Sequence, residues 1–119
     1  MNLLAFQTSA DAADAAFTGA VSFDAADPLF AGHFPDTPIL PGVAFIDATV
    51  ALASRALGKR LRLSAVKSVK FTRPLPPGTE AAFAFRVIPA HDAFTVKGGW
   101  TLASGGKLAE LICTVRNER

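Results

Sequence analysis

The sequence predicts an α+β domain, and three observations support this prediction. A long apolar stretch follows Pro41 and continues without a helix breaker as far as Gly58, which indicates one helix. One segment of alternating apolar and polar residues precedes this stretch, and four such segments follow it. At 119 residues, with 50% apolar and 18% charged, the chain has the composition of one globular domain, expected over residues 1–119. One strand, one buried helix and four antiparallel strands form an α+β pattern.

The strand predictions depend on alternation. Residues 1–15 are weakly patterned and suit either a short strand or a loose leader. The predicted apolar faces are, in chain order, Phe17, Gly19, Val21 and Phe23; Leu61, Leu63, Ala65, Val69 and Phe71; Phe83, Phe85 and Val87; Phe94, Val96, Gly98, Trp100 and Leu102; and Ala109, Leu111, Cys113 and Val115. Lys67 interrupts the second of these faces, and a β-bulge would explain it.

The predicted helix is apolar on nearly all sides. Between Pro41 and Ser54 only Asp47 and Thr49 are polar. A helix of this kind is buried, and a buried carboxylate is costly unless it is paired or hydrogen-bonded. Asp47 therefore either opens onto solvent, bonds a nearby amide, or has a chemical role. At about sixteen residues the helix would span ~24 Å, which is short for a membrane span.

A stiff loop leads into this helix. Pro35, Pro38 and Pro41 each fix a backbone angle and remove a donor, and the loop contains His33. A histidine in such a loop is usually structural. An imidazole and the Asp47 carboxylate directed at one helix N-terminus would form an acid–base pair beside a dipole that stabilises anions.

These residues resemble a known signature. The matching positions are Gly32-His33-Phe34-Pro35, Pro38, Leu40-Pro41-Gly42-Val43 and Asp47-Ala48. They are similar to the motif of the β-hydroxyacyl-[acyl-carrier-protein] dehydratases. The resemblance implies the hotdog fold, in which an antiparallel sheet wraps a long central helix. It also implies a hydro-lyase that converts 3-hydroxyacyl thioesters to trans-2-enoyl thioesters in fatty-acid synthesis or a related aryl-polyene or polyketide pathway.

The resemblance also implies roles for individual residues. His33 would be the general base at Cα, Asp47 the acid that protonates the leaving hydroxyl, and the Gly42 N–H the donor to the thioester carbonyl. The positions that would bind the acyl chain are Phe34, Pro41, Val43, Phe45, Ile46 and Phe71, with Phe83 as a further wall. Each of these phenylalanines equally suits an ordinary core position. Many members carry a glutamine that bonds the acid; Ala51 stands there instead, so water or Thr49 would have to substitute.

The partner implied by the resemblance is an acyl carrier protein, which is acidic. Lys59, Arg60, Arg62 and Arg73 would supply a docking face, although surface charge equally serves solubility. The family also implies a homodimer, or a higher oligomer of dimers, in which histidine and carboxylate come from different subunits.

Composition excludes several other classes. The net charge is +2 and no Lys/Arg cluster of nucleic-acid type is present. A single cysteine and two histidines 58 positions apart do not suggest a metal site, and no cofactor is expected. The N-terminus lacks the features of a signal peptide, which favours a cytoplasmic protein.

Two alternatives remain open at this point. A hotdog thioesterase would use Asp47 to activate water or attack the thioester, and would not need His33. A non-catalytic acyl-binding subunit would bind acyl chains without turnover, which is favoured only by the alanine at position 51.

Overall fold

The computed structural model describes residues 1–10, 15–24, 42–76 and 78–118. These residues form β1 (Asn2–Ala10), β2 (Ala15–Ser22), α1 (Gly42–Leu57), β3 (Leu61–Phe71), β4 (Glu80–Ala90), β5 (Ala93–Leu102) and β6 (Lys107–Asn117). The α+β prediction is confirmed. The ambiguous N-terminal segment contributes a strand, so two strands precede the helix where only one clear strand was predicted.

The six strands form one antiparallel sheet in the order β1-β2-β4-β5-β6-β3, with β1 and β3 at its edges. Alternate side chains of the inner strands are buried on one face of the sheet, where the helix packs. This core includes Phe17, Val21, Phe83, Phe85, Val87, Val96, Trp100, Leu111, Cys113 and Val115. The predicted inward faces of β4 and β6 are confirmed. Phe83 belongs to this core, with its ring centroid 5.2 Å from that of Trp100.

Strand β3 contains two bulges. Its register against β6 shifts twice, so that Ser64 and Lys67 are extra residues in the ladder. Each extra residue reverses the alternation of side chains. As a result Leu63, Val66 and Val69 lie three residues apart and still face the helix side of the sheet. The predicted bulge at Lys67 is confirmed.

The bulge at Ser64 makes one sequence prediction wrong. Ala65 was expected on the inner face, but it pairs with Thr114 on the outer face. Val66 takes the inner position instead, opposite the buried Cys113. A strict two-residue period cannot anticipate this exchange, because an inserted residue moves every later side chain to the other face.

The helix ends as predicted. Gly58 follows its last residue with φ of 62°, a conformation that glycine adopts without strain. The N–H of Gly58 donates to the carbonyl of Arg55, and the N–H of Lys59 to that of Ser54, at 3.4 and 3.1 Å. These two bonds satisfy carbonyl groups that would otherwise lack partners at the helix C-terminus.

Within the part of the chain that the structure describes, only one side of α1 is buried. The buried residues are Ala44, Phe45, Ala48, Thr49, Leu52 and Ala53. On the opposite side Val43 is 60% exposed, and Asp47 and Ala51 are also exposed. The prediction that the helix is buried all round is therefore wrong for the single chain, since one sheet covers only one face of a helix.

A buried hydrogen bond holds the covered side of α1 against the sheet. Trp100 Nε1 donates to Thr49 Oγ1 at 3.0 Å, and the Thr49 hydroxyl donates to the Phe45 carbonyl at 2.7 Å. Thr49 and Trp100 are both fully buried. The indole N–H has no access to water, and a buried donor without a partner would cost free energy. The bond to Thr49 supplies that partner.

The substitution Thr49→Val tests this contact. Valine has the same shape but no acceptor, so the Trp100 N–H becomes a buried unpaired donor. We expect a loss of about 1–3 kcal/mol in the free energy of unfolding, measured by urea denaturation. Thr18→Val, at an exposed position on β2, is the matched control and should change the stability by less than about 0.5 kcal/mol. Equal stabilities of the two variants would contradict the proposed importance of this bond.

Candidate active site

The helix begins at Gly42, and the ring of Phe71 lies over this residue. A Cβ atom at position 42 would approach Cε2 of Phe71 to 2.7 Å, which is closer than real side chains come. Glycine therefore permits the close packing of ring and backbone. The first N–H groups of a helix have no partner within the helix and carry the positive end of its dipole. This end of α1 thus offers backbone donors to a negatively charged oxygen.

Asp47 lies on the face of α1 that the chain leaves uncovered. Val43, Asp47, Ala51 and Arg55 are spaced four residues apart and are all exposed. Asp47 is five residues from Gly42, or ~7.5 Å along the helix axis. The carboxylate and the helix N-terminus therefore lie at the same end of the helix. The carboxylate is exposed, which is one of the alternatives that the sequence left open for Asp47.

Thr49 does not support the carboxylate of Asp47. Its hydroxyl already donates to Phe45 and accepts from Trp100. Residues two apart on a helix are also ~160° apart around it, so the two side chains lie on nearly opposite sides. Thr49 as a substitute for the missing glutamine is therefore a wrong prediction. Ala51 has no polar side-chain atom and does not bond the carboxylate either.

An open apolar strip borders the uncovered helix face. It consists of Leu63, Val66, Val69 and Phe71, which point to the helix side of the sheet and are 38%, 40%, 38% and 46% exposed. At its far end the Leu61 N–H donates to Ser54 Oγ at 3.3 Å, so β3 runs beside the helix from its C-terminus to its N-terminus. Sequence reasoning counted Leu63, Val69 and Phe71 as core. The composition gave no sign that these residues would be left open.

The predicted substrate-binding residues surround the start of the helix in the described part of the chain. Phe45 is buried, with its ring centroid 6.4 Å from that of Phe71 and 5.5 Å from that of Trp100. Ile46 is half-buried against the core, and Val43 is exposed. Of these side chains, Val43 and Phe71 are the most accessible to a bound molecule.

Three predicted site residues lie outside the described residues. These are the general base, His33, and two residues of the motif loop, Phe34 and Pro41.

The four basic residues expected to form one docking face lie at the two ends of β3. Lys59 and Arg60 follow the C-terminus of α1, and Arg62 is the second residue of β3 there. Arg73 follows Phe71 at the opposite end of β3. The two ends of a sixteen-residue helix are ~24 Å apart, and a docking face formed by all four residues stays a prediction.

Cys113 is fully buried among core residues of β6. Burial raises the pKa of its thiol to about 11, because a thiolate is poorly solvated in an apolar environment. The side chain is therefore a neutral packing residue at physiological pH. Within residues 1–10, 15–24, 42–76 and 78–118 no three His, Cys, Asp or Glu side chains cluster as metal ligands. No helix among those residues is long and apolar enough to cross a membrane.

Comparison with known proteins identifies the family. The model of the ApeI-like family, described as ApeI dehydratase, matches residues 8–106. The chain belongs to the ApeI-like dehydratase family. It is also 31% identical over 91 residues to the 3-hydroxyacyl-[acyl-carrier-protein] dehydratase FabZ of Clostridium acetobutylicum, covering 71% of this chain and 64% of that protein. The chain thus spans less than two thirds of the length of this curated relative.

Solved structures share the hotdog fold of this family member. An uncharacterized protein from Erwinia carotovora subsp. atroseptica superimposes with a TM-score of 0.81 at 18% identity, over 98% of this chain and 95% of that one. The dehydratase heterocomplex ApeI:P from Xenorhabdus doucetiae gives a TM-score of 0.67 at 24% identity, over 98% and 100%. At these identities the likeness establishes the fold, which confirms the predicted hotdog arrangement of one helix and an antiparallel sheet.

The state of Cys113 predicts both its reactivity and a pH dependence. At pH 8 the folded protein should react very slowly with a thiol reagent, whereas the urea-unfolded chain should react fully. In the unfolded chain the thiol pKa returns to about 9, so the unfolded state ionises first as the pH rises. The stability contributed by the neutral thiol is thus present below pH 9 and lost towards pH 11. Cys113→Ala is the control, and it should lack this part of the slope in urea titrations at pH 8 and 10.

Proposed function

We propose that this protein dehydrates 3-hydroxyacyl thioesters, carried on an acyl carrier protein, to trans-2-enoyl thioesters. The family match over residues 8–106 is the observation that carries the proposal. The geometry supports it, because a helix N-terminus and an accessible carboxylate lie at one end of α1 beside apolar side chains. The pathway would be fatty-acid synthesis or related aryl-polyene or polyketide synthesis. We also propose that residues 1–119 act as one hotdog domain in the cytoplasm.

The reaction needs a base, an acid and a donor to the thioester oxygen. The imidazole of His33 removes the proton from Cα, and the developing negative charge on the thioester oxygen is stabilised by the Gly42 N–H and the helix dipole. The electron pair then forms the Cα=Cβ bond as the C–O bond breaks. The Asp47 carboxyl group donates its proton to the departing hydroxide, which leaves as water. Exchange with solvent returns one proton to Asp47 and removes one from His33.

Binding of the acyl chain would use the exposed apolar side chains near Gly42. Val43 and Phe71 are accessible at the helix N-terminus, and Phe45 and Ile46 lie behind them. Phe34 and Pro41 would complete this wall from the motif loop. An acyl chain bound there lies with its thioester carbonyl close to the first N–H groups of the helix.

The proposed assembly is a homodimer formed through β3. This strand is an edge of the sheet, and its eleven residues include the open apolar strip. An exposed apolar edge strand readily pairs with another strand, and soluble proteins generally cover or interrupt such edges. A second copy on this edge would also cover Val43 and Asp47.

The catalytic assignment predicts the effect of two substitutions. His33→Asn and Asp47→Asn should each lower kcat for 3-hydroxyacyl dehydration by about 10²–10⁴-fold, because each removes one proton-transfer group. Turnover is measured by mass spectrometry of the carrier-bound product, following the loss of water. His91→Asn and Asp92→Asn are the matched controls; both residues lie exposed in the β4–β5 turn and should leave kcat unchanged.

The same variants separate the competing functions. Hydrolysis of the thioester that needs Asp47 but not His33 would identify a thioesterase and contradict the dehydratase. Tight acyl binding by the wild type, with no turnover at high enzyme concentration, would identify an acyl-binding subunit.

Introducing a charged side chain into the open apolar strip tests the proposed dimer. Val69→Asp should convert a dimer into a monomer in sedimentation velocity, because a carboxylate in the interface loses its hydration without gaining a partner. Ile88→Asp is the matched control: Ile88 is 37% exposed and Val69 38%, but Ile88 lies on the opposite face of the sheet. Circular dichroism verifies that both variants are folded. A wild-type chain that is monomeric alone and dimeric only with a related second chain would contradict the homodimer.

A further inference from the structure

The outer face of the sheet contains a shallow groove lined by basic side chains. It has a volume of about 540 Å³, and its polar lining includes Ser68, Lys70, Lys97, Lys107 and Glu110. These side chains point away from the helix, as the register of β3, β5 and β6 shows. We call this depression the basic groove. It lies on the opposite side of the sheet from the candidate active site.

The groove exists because small residues form its floor. Gly99 pairs with Ala84 on one side and with Glu110 on the other, and all three belong to the outer face. A Cβ atom at Gly99 would approach the carbonyl oxygen of Ala109 to 2.7 Å. The backbone at Gly99 therefore forms the floor of the groove, and the long side chains of Lys70 and Lys107 form its sides.

The electrostatic potential of the groove is positive. Lys107 Nζ donates to Glu110 Oε1 at 2.9 Å, which neutralises one of the three lysines. The hydrogen bond from Lys107, its charge and the charge of Lys70 together lower the pKa of Glu110. Lys70 and Lys97 remain as exposed cations. The guanidinium of Arg73 lies close by, 2.6 Å from where a Cβ of Gly106 would stand, and adds a further positive charge.

The basic groove lies at the same end of the sheet as the helix N-terminus. Lys70 points outward and the next residue, Phe71, points inward and packs over Gly42. The groove and the proposed thioester site therefore lie on the two sides of the sheet at the same end of β3. The other basic residues, Lys59 and Arg60, lie at the far end of α1.

We propose that the acidic carrier protein docks on the basic groove and on Arg73, from where its acyl thioester reaches round the end of β3 to Gly42. The inference rests on the proposed function, since it assigns a surface to the partner of that reaction. Two observations favour this occupant. The groove and the neighbouring Arg73 together present four cations and one carboxylate to an acidic partner, and Lys70 of the groove is followed directly by Phe71, which packs over Gly42.

The experiment measures the dissociation constant of purified holo acyl carrier protein by fluorescence anisotropy for the wild type and two variants with altered surface charge. Lys70→Glu/Lys97→Glu changes the groove. The control, Gln7→Glu/Ser9→Glu, adds two negative charges at exposed positions of β1, the edge of the sheet opposite β3 and the proposed dimer contact. We expect the groove variant to weaken binding on the order of tenfold and to flatten its dependence on salt. The control should bind within about twofold of the wild type, since its charges lie outside the docking surface.

Turnover of a short 3-hydroxyacyl thioester that lacks the carrier distinguishes a failure of the docking surface from a failure of the proposed dehydratase function. All three proteins should dehydrate it equally, because the substitutions lie away from Gly42 and Asp47. Unchanged carrier binding by the groove variant, or a larger loss in the control, would overturn the docking surface while leaving the dehydratase intact. Absence of turnover in the wild type would contradict the proposed function. The binding constants would still decide where an acidic protein docks.

Discussion

The hydrogen bond from Trp100 to Thr49 fixes the rotation of α1 against the sheet, and the candidate site depends on that rotation. Apolar contacts are non-directional, so small residues such as Ala48 and Ala53 could pack on the sheet in several orientations. A buried donor and acceptor have one favourable geometry. With Thr49 held towards the sheet, Asp47 necessarily points away from it, ~160° around the helix. One polar contact in the core thus determines where the carboxylate lies.

The apolar surface of this chain exceeds what one sheet can cover. The helix is apolar on both sides, and the bulges at Ser64 and Lys67 keep every third residue of β3 facing the same way. The uncovered helix face and the open apolar strip adjoin along the length of β3. Asp47 is the carboxylate on that helix face, so whatever covers the apolar surface also encloses an ionisable group. Assembly and acid–base chemistry are therefore coupled in the proposed function.

The sequence predicted most of the fold, and its failures have identifiable physical causes. Alternation was sufficient to predict the inner faces of β4 and β6, because every inward-facing residue of those two predicted faces is buried. It failed at Ala65, because a bulge is a property of strand pairing and leaves only a weak trace in composition. The expected burial of α1 on all sides failed for a different reason. Composition shows that a helix needs cover on all sides, but it does not show which chain provides the cover. The role of His33 rests on the resemblance to the family signature and stays a prediction, because the residue lies outside the described residues.

The path of β3 separates basic residues that are close together in the sequence. Lys59 and Arg73 are fourteen residues apart, yet β3 is an extended strand that carries the chain the full length of the helix between them. Extended chain advances ~3.3 Å per residue, so neighbours in sequence become opposite ends of the molecule. Strand alternation also separates Lys70 from Phe71, which are adjacent in the sequence but face opposite sides of the sheet. The end of β3 is therefore the place where a charged outer surface and an apolar inner surface come within one residue of each other. The proposed carrier protein would be recognised by its charge while it delivers an apolar acyl chain. The proposed docking therefore needs a charged surface and an apolar surface at one place.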